Sequence, residues 1–577
     1  MTLIKRAKKI SLDGKGSLTL SPNDYVTQGG EGVIYQKGKT VIKLYLDSKK
    51  MAQDNMTDKI RLLARGLKHP SIVAPEGVVF DQKNNPIGYH MPFVTGEPYP
   101  RIFTNDWRSQ NGFNDKAVTI LAGKMHEVVD FAHSQGALMV DANELNWLAD
   151  VRDVNNPVPY AIDVDSWQID KFKASVIMPS VRDWHSQDFG AETDWFAWGV
   201  VSFLLFTGVH PYKWKLDGYK PGELERRMKD NASVFLPEVR LNKAVRDFRS
   251  IPGPLLDWYQ ATFTKGERSV PPSPFKTGKT NTNLGRVMRV VATTTGGLIY
   301  EKLFDLANDE VISVWPCGII RTKSGKLIDL ATKKEIGKVS GSRVAIIKKD
   351  NGWLVSEMIG SGWQWRHINR NGLESLLSVP VTTKSVVRSD NRIFVTTETE
   401  LIELTLQQFS KPVITIGKRW SVLSNATKWF QGIGVSDVLG AMHLIAPFAE
   451  SSVAIVRVPE LDGLKPVNGL CGNRWAEIIT INKQGEYEAH DLSFDAEWKK
   501  YSLQSRKVDG PDQNLVALPK GVTASIPEDG ELIISVPTKG EQKVIKDKDL
   551  ATDMRLANIE NKVVYRKDGA LWSLRMQ

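Results

Sequence analysis

Residues 131–148 read FAHSQGALMVDANELNWL and carry the most specific pattern in the chain. Apolar residues recur at helical spacing over residues 115–134, so a helix is predicted to end near His133 and Gly136. A loop follows in which Asp141 precedes Asn146 by five residues. An Asp and an Asn in a loop are common, but this pair directly after an apolar helix is not. We therefore take this loop as the centre of a candidate site.

Two further motifs lie upstream of the loop. GGEGVIY, residues 29–35, lies between two strand-like runs and predicts a hairpin. Its glycines lack a Cβ, so backbone N–H groups there could approach phosphates closely. VIKLY, residues 41–45, places Lys43 inside an apolar strand. A glycine hairpin is more often only a turn, and a strand lysine often faces water, but the two together are a stronger signal.

Two motifs also lie downstream. YAIDVDSW, residues 160–167, is an apolar strand that ends at Asp163 and is followed by Asp165. TDWFAWGVVSFLLFTGVHPY, residues 193–212, contains Asp194 and Gly199. Its apolar residues fall on most faces of a helix, which predicts a helix buried in the core.

Together these motifs resemble those of protein kinases, in an atypical form similar to bacterial or phage enzymes. The resemblance implies an α+β bilobal fold and transfer of phosphate from ATP, with Mg²⁺, to Ser or Thr of a protein. It implies catalytic roles for three residues. Asp141 would accept the proton, Lys43 would bind the α- and β-phosphates, and Asn143 stands two residues after Asp141, at the position where the family usually has a lysine.

The resemblance also implies the remaining site residues. The nucleotide would contact the glycine hairpin, Lys43 and a hinge with Met91 as gatekeeper, that is Gly29, Gly30, Gly32, Lys43, Met91, Phe93 and Val94. Magnesium would be held by Asn146 and Asp163, whereas Asp165 is either a further ligand or a cap of the next segment. Structural roles fall to Asp194, which holds the backbone of the catalytic loop, and to Gly199, Arg268 and Asp58, the last as the acid of helix C.

The chain departs from the kinase pattern at several points. Met139 and Val140 replace the usual His-Arg pair, and Asn143 replaces a lysine, which removes a positive charge near the γ-phosphate. No Ala-Pro-Glu motif is recognisable. These departures leave two alternatives, a constitutive kinase or a pseudokinase that acts as a nucleotide-sensing scaffold. The enzyme is favoured because four key residues are retained: Lys43, Asp141, Asn146 and Asp163.

Near residue 270 the pattern of predicted elements changes from alternating helices and strands to a linker and short strands. GERSVPPSPFKTGKTNTNLG, residues 266–285, predicts a linker, and short strands bounded by turn residues follow it. The strands recur in units of about 40 residues, which favours an irregular β-propeller of six or seven blades, with a pair of β-sandwiches as the alternative. The final strand, near residues 563–574, is expected to pair with an early strand after the linker.

These observations predict a multidomain chain. The expected parts are a basic N-terminal segment at 1–17, a kinase-like domain at 18–270 with lobes of about 18–95 and 96–270, a linker at 271–288 and an all-β domain at 289–577.

Composition bounds the expected partners and compartment. The net charge of +10 is spread along the chain, so it does not indicate a nucleic-acid-binding surface. Two cysteines cannot build a disulfide framework or a zinc site, which fits a reducing cytoplasm. No signal peptide or membrane-spanning stretch is recognisable. We expect a protein substrate, possibly the chain itself, and a protein partner at the β domain.

Overall fold

The computed structural model describes residues 8–47, 51, 55–174, 177–220, 222–280, 288–289, 297–349, 351–448, 452–527 and 530–577. Residues 1–7 of the predicted basic segment and 281–287 of the predicted linker lie outside the described residues. Below, residues 8–280 are called the N-terminal region and residues 297–577 the β-sheet region.

The N-terminal region begins with a seven-stranded antiparallel sheet in the order β2-β1-β6-β7-β5-β4-β3. Its strands are β1 Lys8–Leu12, β2 Gly16–Leu20, β3 Tyr25–Gln28, β4 Gly32–Lys37, β5 Thr40–Tyr45, β6 Gly77–Phe80 and β7 Pro86–Pro92. Helix α1, Met56–Gly66, lies between β5 and β6 in the chain. Because β1 pairs with both β2 and β6, the predicted boundary at residue 17 is wrong and residues 8–17 belong to this sheet.

A mainly helical part follows, built around two long helices that pack together. The helices are α2 Tyr99–Ile102, α3 Asn105–Asn111, α4 Asp115–Ser134, α5 Ala191–Thr207, α6 Leu224–Lys229 and α7 Gly253–Lys265. Short strands precede, separate and follow these helices: β8 Glu97–Pro98, β9 Ala137–Leu138, β10 Trp147–Asp150, β11 Val158–Ala161, β12 Gln168–Ile169, β13 Arg240–Leu241 and β14 Met288–Arg289. With α1, seven α-helices lie wholly within the described residues.

Helix α5 forms the centre of this part, as its apolar sequence predicts. Fifteen of its seventeen residues are buried. Gly199 allows α7 to approach, since a Cβ there would come 2.9 Å from the ring of Trp258. Residues 271–280 of the predicted linker lie against α4, where His126 Nε2 is 3.1 Å from the Pro271 carbonyl and the Phe275 ring covers Gly123.

The β-sheet region consists of seven four-stranded antiparallel sheets within the described residues. Six are built from consecutive strands: β16 Val311–Val314, β17 Ile319–Thr322, β18 Lys326–Asp329 and β19 Lys334–Lys338; β20 Val344–Lys349, β21 Gly352–Ile359, β22 Gly362–Asn369 and β23 Glu374–Leu377; β24 Ser385–Ser389, β25 Arg392–Thr396, β26 Glu400–Gln408 and β27 Pro412–Ser421; β28 Thr427–Trp429, β29 Gly434–Val438, β30 Ala441–Phe448 and β31 Ser452–Arg457; β32 Lys465–Gly472, β33 Trp475–Ile481, β34 Tyr487–Phe494 and β35 Tyr501–Val508; β36 Leu515–Ala517, β37 Thr523–Ser525, β38 Leu532–Val536 and β39 Glu541–Ile545.

The seventh sheet joins the two ends of the β-sheet region. It contains β15 Leu298–Phe304 together with β40 Arg555–Ile559, β41 Lys562–Lys567 and β42 Ala570–Met576. Strand β42 pairs with β15, so the last strand covers an edge of the first strand after the linker. In the described residues no helix is both long enough and apolar enough to cross a membrane.

Candidate active site

Lys43 is the centre of a buried ion-pair network. It lies on β5, and its Nζ is 2.6 Å from Asp163 Oδ1 and 2.8 Å from both carboxylate oxygens of Asp165. The Lys43 side chain is 7% exposed, Asp165 1% and Asp163 44%. Burial alone would lower the pKa of Lys43, but the two carboxylates outweigh it and the pKa is raised. The structure thus joins two motifs that are 120 residues apart.

Asp165 anchors Lys43 rather than facing an open site. Tyr45 donates a hydrogen bond of 2.6 Å to Asp165 Oδ2, and Tyr89 donates one of 2.7 Å to Oδ1. Burial opposes ionisation, but Lys43 and the two tyrosines prevail and lower the pKa of Asp165 to about 2. With both oxygens occupied and almost no exposed surface, Asp165 is not placed to bind magnesium, and that sequence prediction needs correction.

Helix α1 contributes a lysine to this network instead of an acid. The buried face of α1 contains Lys59, whose Nζ donates a hydrogen bond of 2.7 Å to the Asp165 carbonyl oxygen. Asp58 lies on the exposed side of the helix. The prediction that Asp58 is the acid of helix C is therefore wrong, because in this turn of α1 the side chain that faces the core is that of Lys59. Asp165 provides the buried carboxylate that Lys43 requires.

Asp194 holds the backbone that precedes Asp141. Its carboxylate, at the start of α5, accepts hydrogen bonds of 2.7 Å from the Met139 N–H and 2.8 Å from the Val140 N–H. His133 Nε2 lies 2.9 Å from the same carboxylate. Val140 has a φ of 59°, which is strained for a β-branched residue. A fully buried carboxylate on these two amides thus stabilises a conformation that the loop would otherwise avoid.

Asp141 and Asn146 are joined within one tight turn. The Asn146 side-chain Nδ2 donates a hydrogen bond of 2.7 Å to the Asp141 carbonyl oxygen. The Asp141 carboxylate accepts one of 2.8 Å from the Met178 N–H. Burial raises the pKa of Asp141, although hydrogen bonds from Asn143 and others act in the opposite direction. Asn143 is buried, and its Oδ1 caps the turn by accepting from the Leu145 N–H.

The three glycines of the hairpin between β3 and β4 differ in their surroundings. Gly29 closes the turn by donating a hydrogen bond of 2.8 Å to the Gly32 carbonyl. A Cβ on Gly32 would come 3.0 Å from the Leu44 carbonyl oxygen and 3.3 Å from Lys43 Cγ. Around Gly30 a Cβ would meet nothing within 4 Å. Gly32 is therefore required by strand packing, whereas Gly29 and Gly30 leave the tip of the hairpin open.

The predicted hinge is only partly arranged for adenine. The Phe93 N–H donates a hydrogen bond of 2.9 Å to the Lys39 carbonyl, so this amide does not face a ligand as expected. Met91 and Val94 are partly buried, and Met91 packs against the core of the helical part. Met91 therefore contacts the core, and the Phe93 amide extends the sheet pairing between β5 and β7.

Arg268 has a buried acidic partner that the sequence analysis missed. Its Nε and Nη2 lie 2.6 Å and 2.7 Å from the two carboxylate oxygens of Asp183. Asp183 lies two residues after Val181, in the segment that leads from Asp163 to α5. Bidentate pairs of this kind are among the strongest side-chain contacts. Asp183 therefore fastens the segment after Asp163 to the region that follows α7.

Two side chains offer oxygens suited to magnesium, namely Asp163 and Asn146. Magnesium prefers oxygen ligands and is often held by one or two protein side chains together with substrate phosphates. Asp163 is half-exposed, and Asn146 uses its amide nitrogen for the Asp141 carbonyl. No group of three or more His, Cys, Asp or Glu able to hold a metal occurs among the described residues. The donors thus fit a magnesium ion shared with a nucleotide rather than one held by protein alone.

The β-sheet region contacts the glycine hairpin. Asp437, near the end of β29, accepts hydrogen bonds of 2.9 Å from both the Tyr25 hydroxyl and the Thr27 hydroxyl. Lys465 Nζ lies 3.4 Å from the Gln28 carbonyl, one residue before Gly29. Burial lowers the pKa of Lys465, while the charges of Asp437 and Asp163 act in the opposite direction. The charge of Asp163 therefore affects the pKa of a lysine that belongs to the β-sheet region.

The β-sheet region also contacts the loop that contains Asp141 and Asn146. The Tyr487 hydroxyl donates a hydrogen bond of 3.0 Å to Glu144 Oε1, and burial raises the pKa of Glu144. The turn before Tyr487 packs tightly on the segment after Asp163, since a Cβ on Gly485 would come 2.1 Å from Ser180 Oγ. None of these contacts was foreseen from the sequence. The β-sheet region thus touches both sides of the candidate site.

Comparison with known proteins does not assign the chain to a family. No protein-family model matches it, and no curated protein sequence matches it. The geometry described above therefore carries the functional proposal.

Proposed function

We propose that this chain is an atypical protein kinase that transfers the γ-phosphate of ATP to Ser or Thr of a protein, with magnesium. The observation that carries the proposal is the contact of 2.6 Å between Lys43 and Asp163, formed beside the loop of Asp141 and Asn146. A buried lysine, a half-exposed acid and a base on a fixed loop are what phosphoryl transfer requires, because it depends on positioning and charge neutralisation.

Each residue has a separate task in the proposed reaction. The oxygen of the substrate hydroxyl forms a bond to the γ-phosphorus while the bond to the bridging oxygen of ADP breaks. Asp141 takes the hydroxyl proton, and its raised pKa suits that role better than an ordinary exposed carboxylate. Lys43 keeps its charge because Asp165 remains ionised beside it, and that charge would act on the phosphates of a bound nucleotide. Magnesium held by Asp163 and Asn146 would neutralise phosphate charge.

Lys465 supplies positive charge where the catalytic loop lacks it. Asn143 stands at the position of the usual lysine and serves as a turn cap. Lys465 lies against the carbonyl of Gln28, and the charge of Asp163 acts to raise the pKa of Lys465. A phosphate near the hairpin would have this ammonium within electrostatic reach. The β-sheet region would therefore contribute to the active site as well as to anchoring.

We further propose that the seven sheets form a seven-bladed β-propeller in the cytoplasm that recruits a protein substrate or partner. Six sheets of consecutive strands, and a seventh that joins β15 to β40–β42, follow the strand order of a ring closed by its terminal strands. Such a ring gives a rigid platform of protein size, which favours a protein substrate over a small molecule.

A second function, a nucleotide-sensing scaffold without transfer activity, is favoured by one contact. The Met178 N–H occupies Asp141 Oδ1, the carboxylate that a substrate hydroxyl would approach. If this contact persists when nucleotide is bound, the base is not free to accept a proton. Binding of ATP without any phosphate transfer is the expected behaviour of that alternative.

The Asp141→Asn variant tests the proposal. The full chain is incubated with radiolabelled Mg-ATP and a generic protein substrate, and phosphosites are mapped by mass spectrometry. The variant is expected to lose transfer by roughly 10²–10⁴-fold, the usual contribution of a general base, and to retain ATP binding. Asp58→Asn is the matched control because Asp58 is exposed on α1. Rapid phosphate transfer by Asp141→Asn would overturn the assignment. If the wild-type chain binds ATP but transfers no phosphate, the nucleotide-sensing scaffold would be favoured.

A further inference from the structure

A cavity lies between the helical part and the β-sheet region, and its lining contains none of the candidate site residues. Its volume is about 200 Å³. Residues of both regions line it, and its charged and aromatic walls are formed by Arg101, Trp107, Arg321, Arg343, Trp363 and Trp429. Neither the proposed reaction nor the predicted site residues make use of this cavity.

The cavity carries an excess of positive charge. Three arginines line it, and Glu97 is the carboxylate that pairs with two of them, Arg101 at 3.4 Å and Arg343 in a closer contact. Burial lowers the pKa of each of the three guanidinium groups. Three guanidinium groups therefore share the single carboxylate of Glu97, which leaves an excess of two positive charges at the cavity.

Arg321 provides a buried donor that lacks a partner. It lies on β17 and is only 9% exposed. Its Nη1 donates a hydrogen bond of 3.4 Å to the Gln110 carbonyl of α3, whereas Nε has no hydrogen-bond partner among the described residues. Glu357 attracts Arg321, but a carboxylate oxygen of Glu357 lies 2.8 Å from Arg366 Nη2. Buried donors are nearly always satisfied, so this N–H is available to an acceptor from outside the chain.

The aromatic walls limit the kind of acceptor that fits. Trp107, Trp363 and Trp429 surround the arginines, and the Trp429 Nε1 is a second buried donor without a partner in the described part of the chain. Guanidinium groups pair with phosphate through two parallel hydrogen bonds, and indole rings pack against flat or apolar groups. The volume exceeds that of a phosphate ion alone and leaves room for a small organic group.

We propose that this cavity binds a small phosphorylated molecule, with the phosphate on Arg321 and Arg343 and the organic part against the indole rings. Such a ligand would neutralise the excess charge and supply the acceptor that Arg321 Nε lacks. It would also bridge α3 and the β-sheet region, because the two sides contribute different arginines. This proposal does not depend on kinase activity.

Calorimetric titration of the full chain tests the proposal at constant ionic strength. The probes are inorganic phosphate, glycerol 3-phosphate and acetate. Saturable binding of glycerol 3-phosphate is expected, tighter than that of phosphate, with an affinity at least ten-fold lower in Arg321→Gln. Arg249→Gln, which alters an exposed arginine elsewhere, is expected to bind as the wild type does.

Other outcomes are equally informative. If Arg321→Gln does not fold, Arg343→Gln provides the same comparison, since Arg343 is not fully buried. Absence of saturable binding, equal affinity in both variants, or preference for acetate would overturn the proposal. Loss of binding in Lys43→Met with retention in Arg321→Gln would move the phosphate to the candidate active site and would also overturn it. Transfer activity is not part of the readout, so failure here leaves the proposed function untouched.

Discussion

The Asp165→Asn variant tests whether Asp165 stabilises the buried Lys43 or serves as a metal ligand. The change keeps the volume of the side chain but removes the charge that faces Lys43, Tyr45 and Tyr89. Removing one partner of a buried ion pair costs about 3–5 kcal/mol, because the other charge remains buried. Asp163 still contacts Lys43, so we expect a loss near the lower end, about 3 kcal/mol, in the free energy of unfolding.

The loss can be measured by thermal denaturation of the full chain. For a domain of this size each kcal/mol corresponds to roughly 2–4 °C, so the midpoint is expected to fall by about 6–12 °C. Asp163→Asn is the matched control, since its side chain is 44% exposed. A half-exposed pair contributes only about 0–1 kcal/mol, so this variant should keep its midpoint while losing phosphate transfer.

The dependence on pH provides an independent check. The pKa of Asp165 is about 2, below its usual 3.8, so the folded state favours the ionised form. The carboxylate therefore stabilises the fold above about pH 4, and this contribution is lost as the pH falls towards 2. The difference between wild type and Asp165→Asn should shrink over that interval. A midpoint within 1 °C of wild type at pH 7, or a greater loss in Asp163→Asn, would refute the anchoring role.

Three further predictions concern the contacts made by the β-sheet region. Lys465→Met is expected to lower kcat roughly ten-fold, because an ammonium near the phosphates is worth on the order of 1–2 kcal/mol at such a site. Steady-state kinetics measure this effect, and an unchanged kcat would contradict the prediction. Tyr487→Phe removes the hydrogen bond to the buried Glu144 and is expected to cost about 1–3 kcal/mol in urea denaturation, whereas no loss would mean that the bond contributes nothing. Asp437→Ala frees the hydroxyls on β3, so amide exchange of residues 25–28 should accelerate in hydrogen-exchange mass spectrometry; protection equal to wild type would argue against the contact.

The positions of some candidate residues follow from local sequence patterns. Lys43 lies inside an apolar strand, and Asp163 follows another by two residues, so their contact needs only that these two parts of the chain lie side by side. Asp194 begins a helix that is apolar on most faces, and its burial against the loop of Asp141 follows from that helix lying in the core. In each case a short motif determines both the element and the direction of the side chain.

The remaining features depend on geometry that no short motif encodes. Asp58 and Lys59 are adjacent, and only the rotational position of α1 decides which of them faces inward. The alternation of KKISL, with Ile10 and Leu12 buried, was a usable signal for β1, although the basic residues beside it suggested a tail. Contacts such as Tyr487 with Glu144 join residues 343 apart in sequence, and only the packing of the two regions brings them together.

The elements that the kinase pattern lacks have local replacements in this chain. Asp165 takes the place of the helix acid as partner of Lys43, and Asp183 takes the place of the acid that holds Arg268. Both replacements are buried carboxylates within the same polypeptide, so neither needs a phosphate to be added before it forms. Asp437 and Tyr487 then tie the glycine hairpin and the catalytic loop to one β-sheet region. Should the proposed transfer be confirmed, these contacts are the route by which a partner bound to the β-sheet region would act on the site.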